Sequence, residues 1–222
     1  MTTPTLAAVR RELAALEDPK FRAVNARNGD DHGVNLTQLR ALAKRLKTQH
    51  ELAVHLWATG DTAARLLATL VCRVASFSSA ELDAMVRDVR SPKLLDWFVV
   101  NVVKPGRHAE ALRVRWKDED DLVGRAGWSL TTAKVAKGAA ALDLAALLDD
   151  IERGMKQAPP HKQWAMNHCL AEIGIHHRPH RARAIAIGER LQVLVDHPAS
   201  PGCTPPYAPL WIAAMVRRNE GA

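Results

Sequence analysis

The sequence contains few cysteines and none of the short motifs that mark common nucleotide- or metal-dependent enzymes. Its three cysteines, odd in number and widely spaced, are Cys72, Cys169 and Cys203. They exclude a disulfide scaffold and suit a reducing compartment. The sequence has no GxGxxG, GxxxxGKS/T, HExxH, GxSxG or CxxC motif. This absence argues against Rossmann enzymes, nucleotide hydrolases and zincins.

Long apolar runs are also missing. The longest, residues 94–103, contains Asp96 and Asn101 and is too short to span a membrane. Residues 1–13 lack a basic start followed by an apolar core, so we expect no secretory signal. We therefore expect a soluble cytoplasmic protein without a membrane partner.

The charge balance is basic. Among 222 residues, 31 are Lys or Arg and 24 are Asp or Glu, which gives a formal net charge of +7. The surplus lies in residues 1–50 and 151–222, whereas the middle of the chain is close to neutral. Such a distribution suits an extended polyanion as partner, although solvated surface charge is the better explanation for any single Lys or Arg. An apolar fraction of 47% excludes disorder over the whole chain.

Apolar residues recur at helical spacing nearly throughout. In residues 36–46 they follow one stripe, with Asn35 placed to cap the helix. Arg40, Lys44 and Lys47 follow a separate stripe. The run 97–100 is β-prone, but its context favours a buried helix.

Cap residues and glycines predict where the other helices begin and end. We expect Asp61 to cap a helix over 62–74, Ser79 to cap one that reaches Val89, and Ser91-Pro92 to begin another. Gly138 and Gly174 are placed where helices commonly stop. Later helices are predicted over 107–115, 119–136, 142–155, 161–174, 180–194 and 208–219.

About a dozen short helices pair into about six units of roughly 35–40 residues, the period of HEAT-like repeats. We therefore predict an all-α fold, a HEAT-like helical-hairpin solenoid (an α-α superhelix), in a single domain over 1–222. A compact irregular bundle is the alternative. Residues 196–209 hold five of the 12 prolines and are predicted to form an ordered loop.

Asp96 is a candidate catalytic residue. On a helix its neighbours at i+3, i+4 and i+7 are Val99, Val100 and Val103. A carboxylate among apolar side chains is unfavourable unless it is paired or used in function. The alternative is a structural Asp bonded to a helix N-terminus or to an arginine.

Arg125 is a second candidate, because Gly124 and Gly127 flank it and permit the close approach of a helix or a ligand. Trp128 shares its helix face at i+3. A structural ion pair between Arg125 and a carboxylate such as Asp96 is an equally good reading.

Trp164 and His168 share a helix face at i, i+4, where packing in the core is the alternative to ligand contact. The basic turn at 176–183 lacks an accompanying Cys or carboxylate cluster, so we expect no metal site. Phosphate contact from its three arginines near a helix start is the better interpretation.

Eight short segments follow one another in a particular order and spacing: residues 33–34, 39–44, 50–53, 56–60, 64–68, 91–96, 125–127 and 170–174. In this order they resemble the AlkD-like DNA alkylation repair proteins, a family of HEAT-like-repeat DNA glycosylases. The resemblance covers most of the chain. The chain resembles a divergent sub-branch of this family in three further segments, 202–204, 207–209 and 211–212.

The resemblance implies a solenoid whose concave basic face holds duplex DNA, alkylated or distorted. It also implies a DNA repair N-glycosylase that excises cationic N3- or N7-alkylated purines without deep base flipping. By position, Asp96 matches the Asp that stabilises the oxocarbenium-like sugar, and Arg125 matches a nearby Arg. We expect no cofactor, a monomer, and association with the nucleoid when the protein is bound to DNA.

The chain departs from the family pattern at four places, one of which is the neighbourhood of Val24 and Asn25, where the family has a Tyr. Pro92 replaces a Trp, Lys93 replaces an acid, and His168 replaces a later Trp. Two alternatives therefore stay open: a non-catalytic binder of DNA structures on the same scaffold, and a protein-interaction scaffold.

We expect basic and aromatic side chains to contact the DNA. They are Arg40, Lys44, Lys47, Lys93, Trp97, Trp128, Trp164, His168, Arg178, Arg181 and Arg183. We also expect Asp96 and Arg125 to approach each other across a basic concavity.

Overall fold

The computed structural model describes residues 4–27, 29–139 and 141–220. These residues form helices joined by loops and no strand, apart from an isolated bridge between Glu17 and Val34. The chain packs as two compact units, unit 1 (residues 1–109) and unit 2 (residues 110–222). The all-α prediction is confirmed, and the single domain stays a prediction. None of the described helices combines the length and hydropathy that a membrane crossing requires.

Unit 1 is built around one buried helix. Its helices are α1 (Leu6–Ala15), α2 (Pro19–Arg27), α3 (Leu36–Leu46), α4 (His50–Ala58), α5 (Thr62–Val71), α6 (Ser79–Asp88) and α7 (Pro92–Phe98). Helix α5 contacts α1, α3, α4 and α7 and is buried over most of its length. A 3-10 turn at Val74–Ser76 and a π turn at Val99–Val103 complete the unit.

Short polar side chains begin three of these helices where the sequence predicts. Asn35 caps α3, Asp61 caps α5, and Ser91, followed by Pro92, caps α7. Each side-chain oxygen accepts a hydrogen bond from a backbone N–H group of the first turn, which otherwise has no partner within the helix. The predicted helix over 97–100 is also confirmed, because α7 continues directly into the π turn.

Helix α6 begins with a different cap from the one predicted. Ser78, not Ser79, accepts a hydrogen bond from the backbone N–H of Glu81 at 3.2 Å. The Glu81 carboxylate in turn accepts from the Ser78 N–H at 2.8 Å. This reciprocal arrangement requires an acidic or amide side chain three residues after the cap, and only Ser78 has one.

Unit 2 is built around the longest helix. Its helices are α8 (Ala109–Lys117), α9 (Asp121–Val135), α10 (Leu144–Gly154), α11 (Pro160–His176), α12 (Arg178–Leu191) and α13 (Ala208–Glu220), with a 3-10 turn at Met155–Gln157. Helix α11 contacts α9, α10, α12 and α13. Its buried residues form the centre of a core cluster that includes Trp128 and Ile212.

The predicted helix stop at Gly174 is wrong, whereas the stop at Gly138 is confirmed. Helix α11 continues past Gly174 to His176, and Gly174 faces Ile212 of α13. A Cβ atom on Gly174 would lie 2.5 Å from Ile212 Cδ1. This glycine therefore serves close helix packing. Gly138 follows α9 with a φ of +101°, a conformation that L side chains rarely adopt.

The proline-rich segment between α12 and α13 is tied to the unit by contacts at its end. The Asn167 side-chain amide of α11 donates a hydrogen bond to the Pro206 carbonyl at 2.7 Å. The Tyr207 hydroxyl donates to the Gly188 carbonyl at 3.4 Å. Helix α13 begins at Ala208, so the segment predicted as loop includes the first two residues of this helix.

Candidate nucleic-acid interface

Helix α7 turns a polar face away from the core of unit 1. Its apolar residues Leu94, Leu95 and Phe98 are buried. The remaining side chains are half-buried and include three that the sequence predicts at the site: Lys93, Asp96 and Trp97. The helix period therefore places a cation, a carboxylate and an indole on neighbouring positions of one short helix.

Helix α7 continues directly into the π turn at Val99–Val103. The Lys104 N–H donates to the Val99 carbonyl at 2.8 Å, the i to i+5 bond of a π turn. The Asn101 amide donates to the Trp97 carbonyl at 2.9 Å. Single π turns inside helices occur frequently at functional sites. Of the apolar neighbours predicted for Asp96, Val99 and Val103 are buried, whereas Val100 is exposed.

Arg40 of α3 covers the indole of Trp97. The guanidinium carbon lies 4.7 Å from the ring centroid, which is cation–π distance. Arg40 is exposed, as are Lys44 and Lys47 further along the same segment. Two residues predicted separately from the sequence, Arg40 and Trp97, therefore form one basic and aromatic surface.

Lys93 is held by polar groups that are not among the predicted site residues. Its Nζ lies 2.6 Å from Asp30 Oδ2 and donates to Asn25 Oδ1 at 2.8 Å. The Asn25 amide donates to the His32 carbonyl at 2.8 Å. These four residues, called the Lys93 network below, join α7 to α2 and to the segment that follows α2. No pattern in the sequence marks Asp30 as buried.

The Lys93 network contains a neutral histidine. His32 is 2% exposed, and neither ring nitrogen has a hydrogen-bond partner among the described residues. Burial lowers the pKa of His32, and the positive charge of Lys93 lowers it further. His32 therefore adds no positive charge to the Lys93 network at neutral pH.

Helix α9 carries Arg125 half-buried and Trp128 in the core of unit 2. The close approach predicted for Gly127 is made by the end of α8, because a Cβ atom on Gly127 would lie 2.3 Å from the Lys117 backbone nitrogen. The Lys117 Nζ lies 5.2 Å from the Trp128 ring centroid. The structure gives Trp128 a packing role, and its contact with DNA stays a prediction.

Helix α11 presents a partly exposed stripe at four-residue spacing: Trp164, His168, Glu172 and His176. The His168 ring stacks on Trp211 of α13, and Glu172 lies within ion-pair distance of both histidines of the stripe. No group of three or more His, Cys, Asp or Glu in the described part of the chain is arranged to hold a metal ion. The sequence indicated Trp164 and His168 but missed Trp211.

The three arginines at the start of α12 differ in their surroundings. Arg178 is exposed. Arg181 donates to the carbonyls of Gly174 and Ile175 at 2.8 and 3.2 Å. It therefore supplies hydrogen-bond donors to carbonyl groups in the last turn of α11, which lack partners within the helix. Arg183 forms ion pairs with Asp149 and Glu152 of α10. All three phosphate contacts stay predictions.

The two candidate catalytic residues lie in different units, Asp96 in unit 1 and Arg125 in unit 2. Their approach across a basic concavity stays a prediction. Within unit 1 the structure does bring together Arg40, Lys93 and Trp97 around the helix that carries Asp96.

Comparison with known families identifies the chain. A family model described as DNA alkylation repair enzyme matches residues 9–210. The chain belongs to the DNA alkylation repair enzyme family. The resemblance carried by the eight sequence segments is therefore confirmed. A search of curated protein sequences gives no match.

A solved structure supports the fold of this DNA alkylation repair family member. It is described as "a new family of proteins related to the HEAT-like repeat DNA glycosylases with affinity for branched DNA structures". The TM-score is 0.81 at 22% sequence identity, over 97% of this chain and 95% of that chain. At this identity the similarity shows the fold alone, and the predicted HEAT-like fold is confirmed.

Proposed function

We propose that this protein binds branched or distorted DNA. Three findings support the proposal: membership of the DNA alkylation repair family, the fold shared with a relative that has affinity for branched DNA, and a net charge of +7. A basic protein neutralises phosphates and releases their counterions, which gives affinity without reading base sequence.

The observation that carries the proposal is the surface formed by α3 and α7. Arg40 lies over Trp97, and Lys93 is fixed one turn before it by Asp30 and Asn25. Lys44 and Lys47 extend the positive charge along α3. Cations fit phosphates, and aromatic rings and arginine side chains are the groups on which unstacked bases stack, so the surface suits a DNA site where bases are unstacked.

A binding assay tests the proposal. We expect a four-way junction to bind at least about tenfold more tightly than a duplex of the same length and composition. Fluorescence anisotropy across a salt series measures both affinities, and each phosphate contact adds about one to the slope of log K against log salt concentration. Equal affinity for junction and duplex, or no binding at low salt, contradicts the proposal.

Lysine variants locate the contact surface. Replacing Lys44 or Lys47 with alanine should lower the salt slope by about one for each residue. Lys137 is an exposed lysine of unit 2 outside the predicted contact set, and Lys137→Ala serves as the matched control. Slopes that do not change in the Lys44 and Lys47 variants would remove α3 from the interface.

The second candidate function is excision of N3- or N7-alkylated purines, and Asp96 is the observation that favours it. Asp96 is half-buried on α7, next to Trp97 in the sequence and three residues before the π turn begins. An alkylated purine already carries positive charge and leaves without strong acid catalysis. The C1′–N glycosidic bond breaks and the base departs as a neutral purine, while the Asp96 carboxylate stabilises the oxocarbenium-like sugar that forms. Water then adds to C1′ and loses a proton to the solvent.

An excision assay decides whether this chemistry occurs. We expect release of 7-methylguanine or 3-methyladenine from duplex DNA, and at least about a hundredfold loss of rate in Asp96→Asn. Glu51→Gln, an exposed position on α4, is the charge-matched control. Chromatography of the free base measures the rate. The catalytic role is excluded if wild-type protein releases no base or if Asp96→Asn retains the full rate.

A further inference from the structure

Five rings on unit 2 are exposed or half-buried, and four of them form two ring pairs that the sequence indicates only in part. The five residues, called the aromatic ridge, are Trp164, His168 and His176 on α11, His197 in the proline-rich segment and Trp211 on α13. Along α11 the ridge residues and Glu172 are spaced by four, which puts them on one side of the helix.

The centre of the aromatic ridge is a stacked ring pair. The rings of His168 and Trp211 have centroids 4.9 Å apart and planes inclined by 14°. The His168 side chain is nonetheless 42% exposed. Because the indole covers one face of the imidazole, this exposure comes from the opposite face and the edge. The pair therefore presents a flat ring face to solvent, already parallel to a supporting indole.

A second ring pair extends the surface. Trp164 lies one turn before His168, and its ring meets that of His197 at 5.2 Å with an interplanar angle of 68°. His197 is exposed, and Trp164 is half-buried. The Asn167 hydrogen bond to the Pro206 carbonyl, from a side chain that is 2% exposed, ties the segment that carries His197 to α11.

Glu172 fixes the orientation of His168 and His176. Its carboxylate oxygens lie 3.4 Å from His168 Nε2 and 3.0 Å from His176 Nε2. The hydrogen bond with His168 lowers the pKa of Glu172 most, and the contact with His176 lowers it further. A carboxylate that binds the ring edge holds the imidazole in place and leaves its face open. This arrangement orients His168 for contact through its face.

We propose that the aromatic ridge stacks an unpaired base of branched or gapped DNA on the open face of His168. The proposal deepens the proposed function and rests on it. Every base has a π face, so stacking on fixed rings binds unpaired nucleotides without sequence preference. A base inside an intact duplex has no free face. The ridge therefore discriminates DNA with unpaired bases from fully paired DNA.

The test compares two substrates and three variants. Substrates are a duplex with a short single-stranded gap that carries 2-aminopurine and the same duplex without the gap. His168→Ala should weaken binding to the gapped DNA about tenfold and abolish the change in 2-aminopurine fluorescence on binding. Binding to the paired duplex should stay unchanged. His168→Phe keeps a flat ring and should retain most of the affinity. His55→Ala, at an exposed position on α4, is the control.

The outcomes separate this proposal from the proposed function. Equal losses on both substrates, or no loss in His168→Ala, overturn the base-stacking role of the ridge. Failure of His168→Phe to restore binding also overturns it, because the ring face is then not the contact. A wild-type protein that prefers gapped DNA through His168 but does not prefer junctions supports the ridge and overturns the proposed junction binding. Thermal unfolding of each variant confirms that it is folded.

Discussion

Replacing Gly127 with alanine is expected to lower the free energy of unfolding by about 3 kcal/mol or more, or to prevent folding. The added Cβ atom would lie 2.3 Å from the Lys117 backbone nitrogen and 2.5 Å from the Trp116 carbonyl carbon. Both neighbours are backbone atoms of α8, so no side-chain rotation relieves the overlap. Helices α8 and α9 would have to separate, and Trp128 would lose its packing in the core.

Gly154→Ala is the matched control for this prediction. Gly154 ends α10 with a φ of −109°, and a Cβ atom there would meet only the Met166 methyl carbon at 3.6 Å, an ordinary contact. Its free energy of unfolding should change by no more than about 1 kcal/mol. Urea unfolding followed by circular dichroism measures both variants. Similar values for the two variants would show that the close approach of α8 to Gly127 is not required for folding.

Local chemistry explains why the helix starts were predictable. A cap at Asn35, Asp61 or Ser91 depends on residues within one turn, and the sequence displays all of them. The same local chemistry explains why Ser78, and not Ser79, caps α6, because Glu81 lies three residues after Ser78 and completes a capping box.

Contacts between distant segments were harder to predict. Gly174 looked like a helix stop because glycine commonly follows the last turn, but its reason is Ile212, 38 residues further on. The close approach predicted at Gly127 is confirmed, but the sequence does not indicate that α8 is the neighbour. A sequence shows that space is needed at a glycine, whereas only the fold shows which segment occupies it.

The candidate site was predicted unevenly for the same reason. Asp96 is predictable because it interrupts an apolar helix, and Lys93 and Trp97 are predictable only as a cation and an aromatic ring of the same segment. The partner that fixes Lys93 is Asp30, and it lies 63 positions earlier in a polar stretch typical of an exposed loop. Burial of a single carboxylate is decided by packing between segments, which spacing along the chain does not record.

Replacing Lys93 with methionine is expected to lower the free energy of unfolding by about 3–5 kcal/mol. The Asp30 side chain is 2% exposed, and its Oδ2 lies 2.6 Å from the Lys93 Nζ. Its Oδ1 has no hydrogen-bond partner among the described residues. Methionine keeps the length of the side chain but leaves the carboxylate buried without a counter-charge, which is more unfavourable than losing the pair as a whole.

A double-mutant cycle isolates this effect. Asp30→Asn alone should destabilise less, because Lys93 is 25% exposed and keeps both water and the Asn25 Oδ1 as partners. The double variant Asp30→Asn with Lys93→Met should recover at least about half of the loss, because no buried charge remains. Lys44→Met, at an exposed position, should change stability by less than about 0.5 kcal/mol. Additive effects of the two single variants would mean that Lys93 and Asp30 stabilise the fold independently. In that case Asp30 does not fix the charge of Lys93, and this charge is available for phosphate contact.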